Sequence, residues 1–316
     1  MRLLGSSGID VSVVSLGSWL TFGESVDEGA SLAVVRRAFE LGVNLFDTAN
    51  VYARGGAEEV LGRALRGLPR DEILVATKVL GEMGPEPVDR GLSAPAVRYQ
   101  CEQSLRRLGV ETIDLYQCHR YDPEAPLGET CHAMDELVRA GKVRAWGVSE
   151  WSARQMEEAV ALCAREGLAP PVSDQPRYSM LQREAETDAL PACADLGLGV
   201  LVFSPLAQGM LSGKYRSADE VPPDSRGAGE QGRLLRERFF EPGHFARVSR
   251  LREIADGLGV PLARLAIAWT LRRPEVTSAI VGATRPEQLE ENVSAAELEL
   301  TDEVRGLIEE ALASSA

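Results

Sequence analysis

The sequence predicts an α/β protein in which eight parallel strands close into an (α/β)8 barrel. Eight short apolar segments recur along the 316-residue chain, each followed by a helical pattern. Their spacing of about 30 residues is the size of one strand-plus-helix unit. No G-x-G-x-x-G motif follows the first segment. Its absence weakens the alternative of an open, dinucleotide-binding sheet.

Strands that alternate with helices imply a parallel sheet, and eight such units favour a closed barrel. The predicted strands are residues 14–18, 43–48, 73–78, 113–118, 143–148, 172–175, 200–203 and 278–281. Residues 1–13 hold short pieces around Gly5-Ser-Ser-Gly8, which predict an N-terminal hairpin that closes the base of the barrel.

The helices between the strands carry clear end signals. Ser152-Ala-Arg-Gln155 has the capping-box pattern, and Gly167 follows the last turn of the same helix. Ser93 and Pro95 open another helix, which Gly109 closes. These signals place helices where the barrel prediction needs them.

Two further segments complete the predicted architecture. A stretch over residues 205–243, after the seventh strand, is rich in Gly, Pro, Arg and Glu and has no strand pattern. A loop of this length in a compact domain is usually functional. Thr301 and Asp302 begin a C-terminal amphipathic helix. With no linker in the sequence, residues 1–316 are expected to form one barrel domain.

The composition excludes several functional classes. Apolar residues make up 44% and charged residues 26%, which is typical of a globular chain. The net charge of −14 argues against general binding to nucleic acid or anionic membranes. There is no signal-peptide pattern and no apolar run of the roughly 20 residues that would span a membrane. Five cysteines without a framework spacing indicate reduced thiols in a cytoplasmic protein.

In a barrel of this kind the chemistry lies at the carboxyl ends of the strands. Nearly every predicted strand ends in a group able to form hydrogen bonds or titrate. These groups are Ser18-Trp19, Asp47, Lys78, His119, Ser149-Glu150, Gln175, Ser204 and Gly282-Ala-Thr284.

Four side chains have a joint chemical meaning. Tyr52 follows Asp47 by five residues, while Lys78 and His119 end the next two strands. A lysine ammonium beside a phenol stabilises the phenolate and lowers its pKa, and a carboxylate holds that ammonium in place. An imidazole on the same substrate oxygen orients it. The set predicts a proton donor for an oxygen that gains negative charge when hydride adds to a carbonyl.

Other interpretations of single motifs carry less weight. Asp47 and Lys78 alone would be read as a buried ion pair, but Tyr52 and His119 favour catalysis. The segment Gly209-Met-Leu-Ser-Gly-Lys214 is one residue short of a P-loop. Two Cys-His pairs suggest zinc at first sight, yet one falls inside a helix pattern, and no metal site is predicted.

The motifs resemble the aldo-keto reductase superfamily along essentially the whole chain. Leu45-Phe-Asp-Thr-Ala-Asn-Val-Tyr52, Ala76-Thr-Lys78, Asp114-Leu-Tyr-Gln-Cys-His119 and Trp146-Gly-Val-Ser149 match its motifs in order. The segments 204–215, 282–292, 21–23 and 222–226 are similar to the branch with the β-subunits of voltage-gated potassium channels and their bacterial relatives. The resemblance implies a TIM barrel that binds a nicotinamide cofactor without a Rossmann domain.

The resemblance also implies roles for individual residues. Asp47, Tyr52, Lys78 and His119 correspond to a catalytic tetrad with Tyr52 as the acid. The implied cofactor contacts are Ser18 and Trp19 near the nicotinamide, Ser149 and Gln175 on its carboxamide, Phe203 stacked on the ring, Ser204, Pro205, Leu206, Gly209 and Lys214 along the pyrophosphate, Arg226 as a clasp, and Gly282, Thr284, Arg285, Gln288, Glu291 and Asn292 around the adenosine. Trp19, Tyr52, His119 and Trp151 are expected to wall the substrate pocket.

The expected cofactor is NADPH, with NADH as the other candidate. Thr284-Arg-Pro286 opens a helix after the eighth strand, and a helix N-terminus with an arginine suits a ribose 2′-phosphate. The predicted function is therefore reduction of a small aldehyde or ketone. The alternative is a redox-sensing accessory subunit, as in the channel branch. His119 favours the enzyme, because channel β-subunits often have Asn there. A homodimer or homotetramer is also expected from the resemblance.

Overall fold

A computed structural model describes residues 1–223, 225–229 and 232–313, and it confirms the predicted barrel. Eight parallel strands pair in sequence order, and the last strand pairs with the first to close the barrel. The strands are β3 (Val14–Gly17), β4 (Leu45–Asp47), β5 (Leu74–Val79), β6 (Ile113–Cys118), β7 (Val143–Val148), β8 (Ser173–Asp174), β9 (Gly199–Phe203) and β10 (Val276–Val281).

Helices surround this barrel, and the two that follow Ser93 and Ser152 begin and end where the sequence signals predict. Ser152 caps α5 through a capping box with Gln155, and Gly167 ends that helix with a left-handed conformation. The helices are α1 (Glu28–Glu40), α2 (Gly56–Leu65), α3 (Ala94–Leu108), α4 (Leu127–Arg139), α5 (Ala153–Glu166), α6 (Ala189–Leu196), α7 (Arg233–Phe239), α8 (Pro242–Gly257), α9 (Leu262–Leu271), α10 (Pro286–Ser294) and α11 (Asp302–Ala313). Their buried sides form one apolar core with the outer faces of the strands.

The N-terminal hairpin closes the base of the barrel, as predicted. Strands β1 (Arg2–Leu3) and β2 (Asp10–Val11) pair antiparallel. Leu4, Ile9 and Val11 are buried against apolar side chains from the barrel interior. Gly5 sits at the tightest point with φ +52°, where an added Cβ would lie 2.5 Å from the backbone nitrogen of Gly199. The hairpin therefore blocks the amino-terminal end and leaves the carboxyl ends of the strands open for function.

The long segment after β9 contains more regular structure than the sequence predicts. It holds two 3₁₀ segments, Ala207–Ser212 and Arg226–Ala228, and the short helix α7 before α8 begins. Leu235 and Phe239 of α7 are buried, so tertiary packing stabilises a seven-residue helix that has little stability alone. Asp224, in the 222–226 motif, lies outside the described residues.

Three global expectations can be compared with the structure. All five cysteine side chains are buried, and none forms a disulfide. In the described ranges, no group of three His, Cys, Asp or Glu side chains is arranged to hold a metal ion. Across the same residues, no single helix is long and apolar enough to cross a membrane. Taken together, α8 and α9 are long and apolar enough, but they are bent by 94° relative to one another.

Candidate active site

The four predicted catalytic side chains converge at the carboxyl ends of neighbouring strands. Asp47 ends β4, Lys78 is the fifth residue of β5, and His119 follows β6 directly. Tyr52 begins a 3₁₀ turn just after β4. Parallel strands bring their carboxyl ends to one rim, so residues more than seventy positions apart in sequence meet there.

A fully buried ion pair lies at the centre of the site. Lys78 has 0% exposure, and its Nζ lies 2.6 Å from Asp47 Oδ1. The same ammonium donates to the carbonyl oxygen of Thr48 at 2.9 Å. Burial lowers the pKa of Lys78, but the Asp47 carboxylate and the Tyr52 hydroxyl more than compensate and raise it overall. Lys78 is therefore a charged ammonium held beside the phenol.

The rings of the site stand close together around Tyr52. Lys78 Nζ lies 5.2 Å from the centre of the Tyr52 ring. The His119 ring is edge-on to Tyr52, with centroids 5.6 Å apart, and the Trp19 ring lies 6.5 Å away on another side. The rings of Tyr52 and His119 are thus neighbours, and their shared contact with a substrate oxygen stays a prediction.

The predicted lowering of the Tyr52 pKa is wrong in its net direction. Burial raises the pKa of Tyr52, and this effect exceeds the lowering by the Lys78 charge and its hydrogen bond. The phenol is therefore protonated at neutral pH. It remains a competent donor to an alkoxide, which is a much stronger base than a phenolate.

His119 is a neutral imidazole at neutral pH. Burial, with the nearby charges of Lys78 and Arg120, lowers the pKa of His119 to about 2. An imidazole that stays neutral can orient a substrate oxygen with its N–H, but it has no extra proton to transfer. Of these two side chains, Tyr52 therefore stays the candidate for the acid role.

The depressed pKa predicts acid instability that depends on His119. An unfolded chain takes up a proton at this imidazole near pH 6.5, whereas the folded protein does so only near pH 2. We therefore expect the free energy of unfolding to fall as pH is lowered from about 7, by up to about 1.4 kcal/mol per pH unit. Urea titrations from pH 7 to 4 measure this slope. His119→Asn should remove it, and His132→Asn, at an exposed position, should not; equal slopes in both variants would disprove the assignment.

Two glutamine amides hold the other oxygen of Asp47, a feature the sequence interpretation missed. Gln175 Nε2 donates to Asp47 Oδ2 at 2.9 Å, and Gln117 Nε2 approaches the same atom at 3.4 Å. Gln117 is fully buried within β6. With Lys78 on Oδ1, both oxygens of the buried Asp47 side chain have hydrogen-bond donors, which offsets the cost of removing them from water. Gln175, predicted as a cofactor contact, is thus also a support for the ion pair.

The predicted nicotinamide residues lie together on the rim next to the tetrad. Ser149 and Gln175 are buried, and Ser149 Oγ donates to the backbone oxygen of Gln175 at 2.9 Å. Phe203 ends β9 and is half-buried. Ser18 donates to Thr48 Oγ1 at 2.8 Å, next to the carbonyl that receives Lys78. The structure brings these side chains into one neighbourhood, and their contacts with a cofactor stay a prediction.

The segment after Phe203 has the backbone shape of an anion cradle. Ser204, Ala207, Gln208 and Gly209 all have positive φ, between 47° and 103°. Conformations of this kind turn backbone N–H groups towards one point, although those of Ala207 and Gly209 already donate to the carbonyl oxygens of Ser204 and Leu206. Pro205 and Leu206, buried and half-buried, lie between them.

Side chains around this cradle fit a dinucleotide. Lys214 is exposed and reaches back over Gly209, where an added Cβ would lie 4.0 Å from its Nζ. Gln208 Oε1 is buried and accepts no hydrogen bond from the described part of the chain. Burial lowers the pKa of Arg226, so a nearby anion would compensate the cost of its charge. Lys214 and Arg226 suit the pyrophosphate end of a nicotinamide cofactor, whereas Gln208 Oε1 is an acceptor and would need a donor from the ligand.

The remaining predicted contacts surround the start of α10. Thr284 donates through both its backbone nitrogen and Oγ1 to Gln288 Oε1, at 2.9 and 3.0 Å. Arg285 is the N-cap residue and is exposed, as is Gly282. Glu291 is half-buried and Asn292 buried on the same helix. The positive end of the α10 helix dipole and the Arg285 side chain therefore lie at the same place.

The two tryptophans predicted to wall the pocket differ in accessibility. Trp19 is half-buried and faces Tyr52. Trp151 is 2% exposed and packs edge-on against Tyr121, with centroids 5.0 Å apart. Burial favours packing as the main role of Trp151, and a substrate contact for it stays a prediction.

Asp174 is a buried carboxyl group that the sequence interpretation did not select. It ends β8 with 0% exposure, and burial raises its pKa to about 8. The backbone N–H groups of Gln175 and Trp151 approach it, but neither makes a hydrogen bond of normal geometry. Asp174 is therefore largely protonated at neutral pH, directly beneath the rim.

Replacing Asp174 should change how stability depends on pH. Between its ordinary pKa near 3.8 and about 8 the folded protein keeps this proton while the unfolded chain loses it, so Asp174 favours unfolding increasingly as pH rises to 8. We expect Asp174→Asn to gain stability relative to the parent protein from pH 5 to 8 and to level off above. Urea midpoints measure this. Asp10→Asn, at an exposed position, is the control, and parallel curves for Asp174→Asn would refute the prediction.

Comparisons with known proteins find relatives along nearly the whole chain. The model of the aldo/keto reductase family matches residues 13–313. A probable voltage-gated potassium channel subunit beta from Arabidopsis thaliana is 42% identical over 93% of this chain and 90% of its own length. A protein with the same description from Oryza sativa subsp. japonica is 41% identical over 97% and 95%. A putative voltage-gated potassium channel subunit beta from Schizosaccharomyces pombe is 39% identical over 98% and 92%. The chain belongs to the aldo/keto reductase family.

Proposed function

We propose that this protein is an NADPH-dependent oxidoreductase that reduces aldehydes and ketones to alcohols. The observation that carries the proposal is the buried Asp47–Lys78 pair beside a protonated Tyr52 and a neutral His119. Family membership supports an oxidoreductase. The carbonyl substrate and the choice of nucleotide are inferred from the geometry.

The reduced nicotinamide, when bound, supplies a hydride to the carbonyl carbon. Tyr52 donates its proton to the carbonyl oxygen as that oxygen gains negative charge. Lys78 stabilises the phenolate that this transfer leaves behind, and Asp47 keeps the ammonium charged. His119 donates a hydrogen bond to the same oxygen and fixes its direction. Each group stabilises charge that develops during the reaction, which is the most effective form of electrostatic catalysis.

The proposed cofactor contacts form a path around the rim. Ser18, Trp19, Ser149, Gln175 and Phe203 would hold the nicotinamide. The positive-φ cradle, with Lys214 and Arg226, would hold the pyrophosphate. Arg285 at the start of α10 would bind a 2′-phosphate, which favours NADPH over NADH. Since Gln288 supplies no second charge there, we infer a preference for NADPH rather than exclusion of NADH.

The proposal is tested by an activity assay in which purified protein is mixed with NADPH or NADH and with each of a panel of small aldehydes. We expect loss of absorbance from the reduced ring with kcat of about 1 s⁻¹ or more. Binding of NADPH should be tighter than binding of NADH. Cofactor binding without steady-state turnover on any member of the panel would disprove the reductase function.

A second candidate function is suggested by the names of the relatives. Three of them are described as channel β-subunits, so an accessory role that binds the cofactor and senses its redox state is the alternative. A protein with that role would oxidise its bound cofactor once at a measurable rate, but its steady-state turnover would be slow. Rapid multiple turnover would decide for the enzyme.

A further inference from the structure

Three charged side chains meet beside Phe203, and none of them belongs to the machinery described above. Arg120, Glu150 and Arg177 each follow the carboxyl end of a strand, after β6, β7 and β8 respectively. They therefore lie on consecutive segments of the same rim as Tyr52.

Glu150 links the two arginines. Arg120 Nη2 lies 2.9 Å from Glu150 Oε2, and Arg177 Nη2 lies 3.9 Å from the same oxygen. Both guanidinium groups also stand against Phe203, with Cζ atoms 6.0 Å and 5.1 Å from the ring centre. The cluster is thus anchored at one wall of the predicted nicotinamide pocket.

The cluster carries more positive than negative charge. Two guanidinium groups share one carboxylate, in a protein whose net charge is −14. Arg177 Nε is buried and lacks a hydrogen-bond acceptor among the described residues. A planar guanidinium group with an unused N–H donor is suited to bind a carboxylate or a phosphate.

The backbone at Glu150 indicates that its carboxylate has a specific task. Glu150 has φ +51°, a left-handed conformation that favours glycine or asparagine and is costly for other residues. A glutamate held there despite the cost positions both arginines. With one carboxylate between two guanidinium groups, these three side chains together keep a positive charge.

Arg120 connects the cluster to the reacting groups. It donates to Ser149 Oγ at 3.2 Å and to the backbone oxygen of His119. Its charge adds to burial and Lys78 in lowering the pKa of His119, and it opposes the rise that burial causes in the pKa of Tyr52. The cofactor phosphates are assigned elsewhere, to Lys214, Arg226 and Arg285. The positive charge of the two arginines, close to the reacting groups, is therefore available to bind the substrate.

We propose that Arg120 and Arg177 bind an anionic group, a carboxylate or a phosphate, on the carbonyl substrate, with Glu150 as their positioning residue. This inference rests on the proposed reductase function and names its substrate class. The same cationic rim would raise the local concentration of such anions against the negative background of the molecule.

Matched substrates test this subsite. We would compare kcat/KM for 4-formylbenzoate with that for its neutral methyl ester, and for 4-formylphenyl phosphate with that for 4-methoxybenzaldehyde. We expect a preference of about 10- to 100-fold for the anion, because a charged hydrogen bond contributes that much. The two pairs distinguish a carboxylate site from a phosphate site.

Variants assign the preference to the cluster. Arg177→Met should lower the anion-to-neutral ratio by about 10- to 100-fold, mainly through KM. Arg177→Lys, which keeps the charge but loses the fork, should retain part of the ratio. Arg154→Met makes the same charge change at an 85%-exposed side chain and should keep the ratio. Ratios near one in the parent protein, or equal losses on both substrates in Arg177→Met, would overturn the subsite.

A binding experiment separates this proposal from the reductase proposal. Calorimetry of 4-formylbenzoate and 4-formylphenyl phosphate against the NADP⁺-loaded protein needs no turnover. Binding of either anion that weakens in Arg177→Met supports the subsite even if no aldehyde is reduced. No binding of either, or binding that Arg177→Met leaves unchanged, refutes it even if the ester is reduced.

Discussion

Tyr52→Phe should reduce kcat for aldehyde reduction by about 10²- to 10⁴-fold, the usual contribution of a positioned general acid. The phenylalanine keeps the ring between Trp19 and His119 and removes only the hydroxyl. Without it, the oxygen that gains charge faces the Lys78 ammonium and the neutral His119 imidazole, and neither is placed to replace the lost proton donor.

The control for this variant is the same chemical change at an exposed ring. Tyr99 is 41% exposed on α3, and Tyr99→Phe should leave kcat unchanged. NADPH binding, followed by fluorescence, should persist in Tyr52→Phe, since the lost hydroxyl is not among the proposed cofactor contacts. Turnover at the parent rate in Tyr52→Phe would remove Tyr52 from the acid role.

Lys78→Met should both inactivate the protein and destabilise it. The substitution leaves the Asp47 carboxylate buried without its positive partner, at a site with 0% exposure on the lysine side. Breaking a buried pair in this way costs about 3–5 kcal/mol of unfolding free energy. Urea denaturation followed by tryptophan fluorescence measures the loss.

The double variant Asp47→Asn/Lys78→Met shows whether the loss comes from the unpaired charge. It replaces both charges by neutral groups, and the amides of Gln117 and Gln175 still have an acceptor at position 47. We therefore expect it to recover most of the lost stability while remaining inactive. If the single and double variants were equally unstable, cavity formation and not charge would be the cause.

The sequence predicted the barrel well because its signals are local. Each strand, cap and turn, such as the capping box at Ser152 or the left-handed Gly109, is encoded within a few residues. The strand ends could then be identified, and with them Asp47, Lys78 and His119. The short helix α7 was missed because it forms by burying Leu235 and Phe239 against the rest of the molecule, which no local pattern reveals.

The support around the catalytic groups was less predictable. Gln117 reaches Asp47 across 70 positions, and a glutamine inside an apolar strand was the only available signal. The net pKa shift of Tyr52 depends on how burial compares with the Lys78 charge, so it needs coordinates. Coordinates are also needed to find the contact of Arg177 with Phe203, because it follows from the pairing of β8 with β9.

The ion pair that supports the proton donor and the proposed pyrophosphate-binding segment lie on different kinds of scaffold. Asp47 and Lys78 lie on short strands whose backbones are locked by neighbours on both sides. The cradle and Arg226 lie on the excursion that leaves β9 and returns at α8. Replacing this excursion with that of a relative should therefore change how the pyrophosphate is held and leave the acid chemistry intact. The preference for a 2′-phosphate should stay unchanged, because it is assigned to Arg285 at the start of α10.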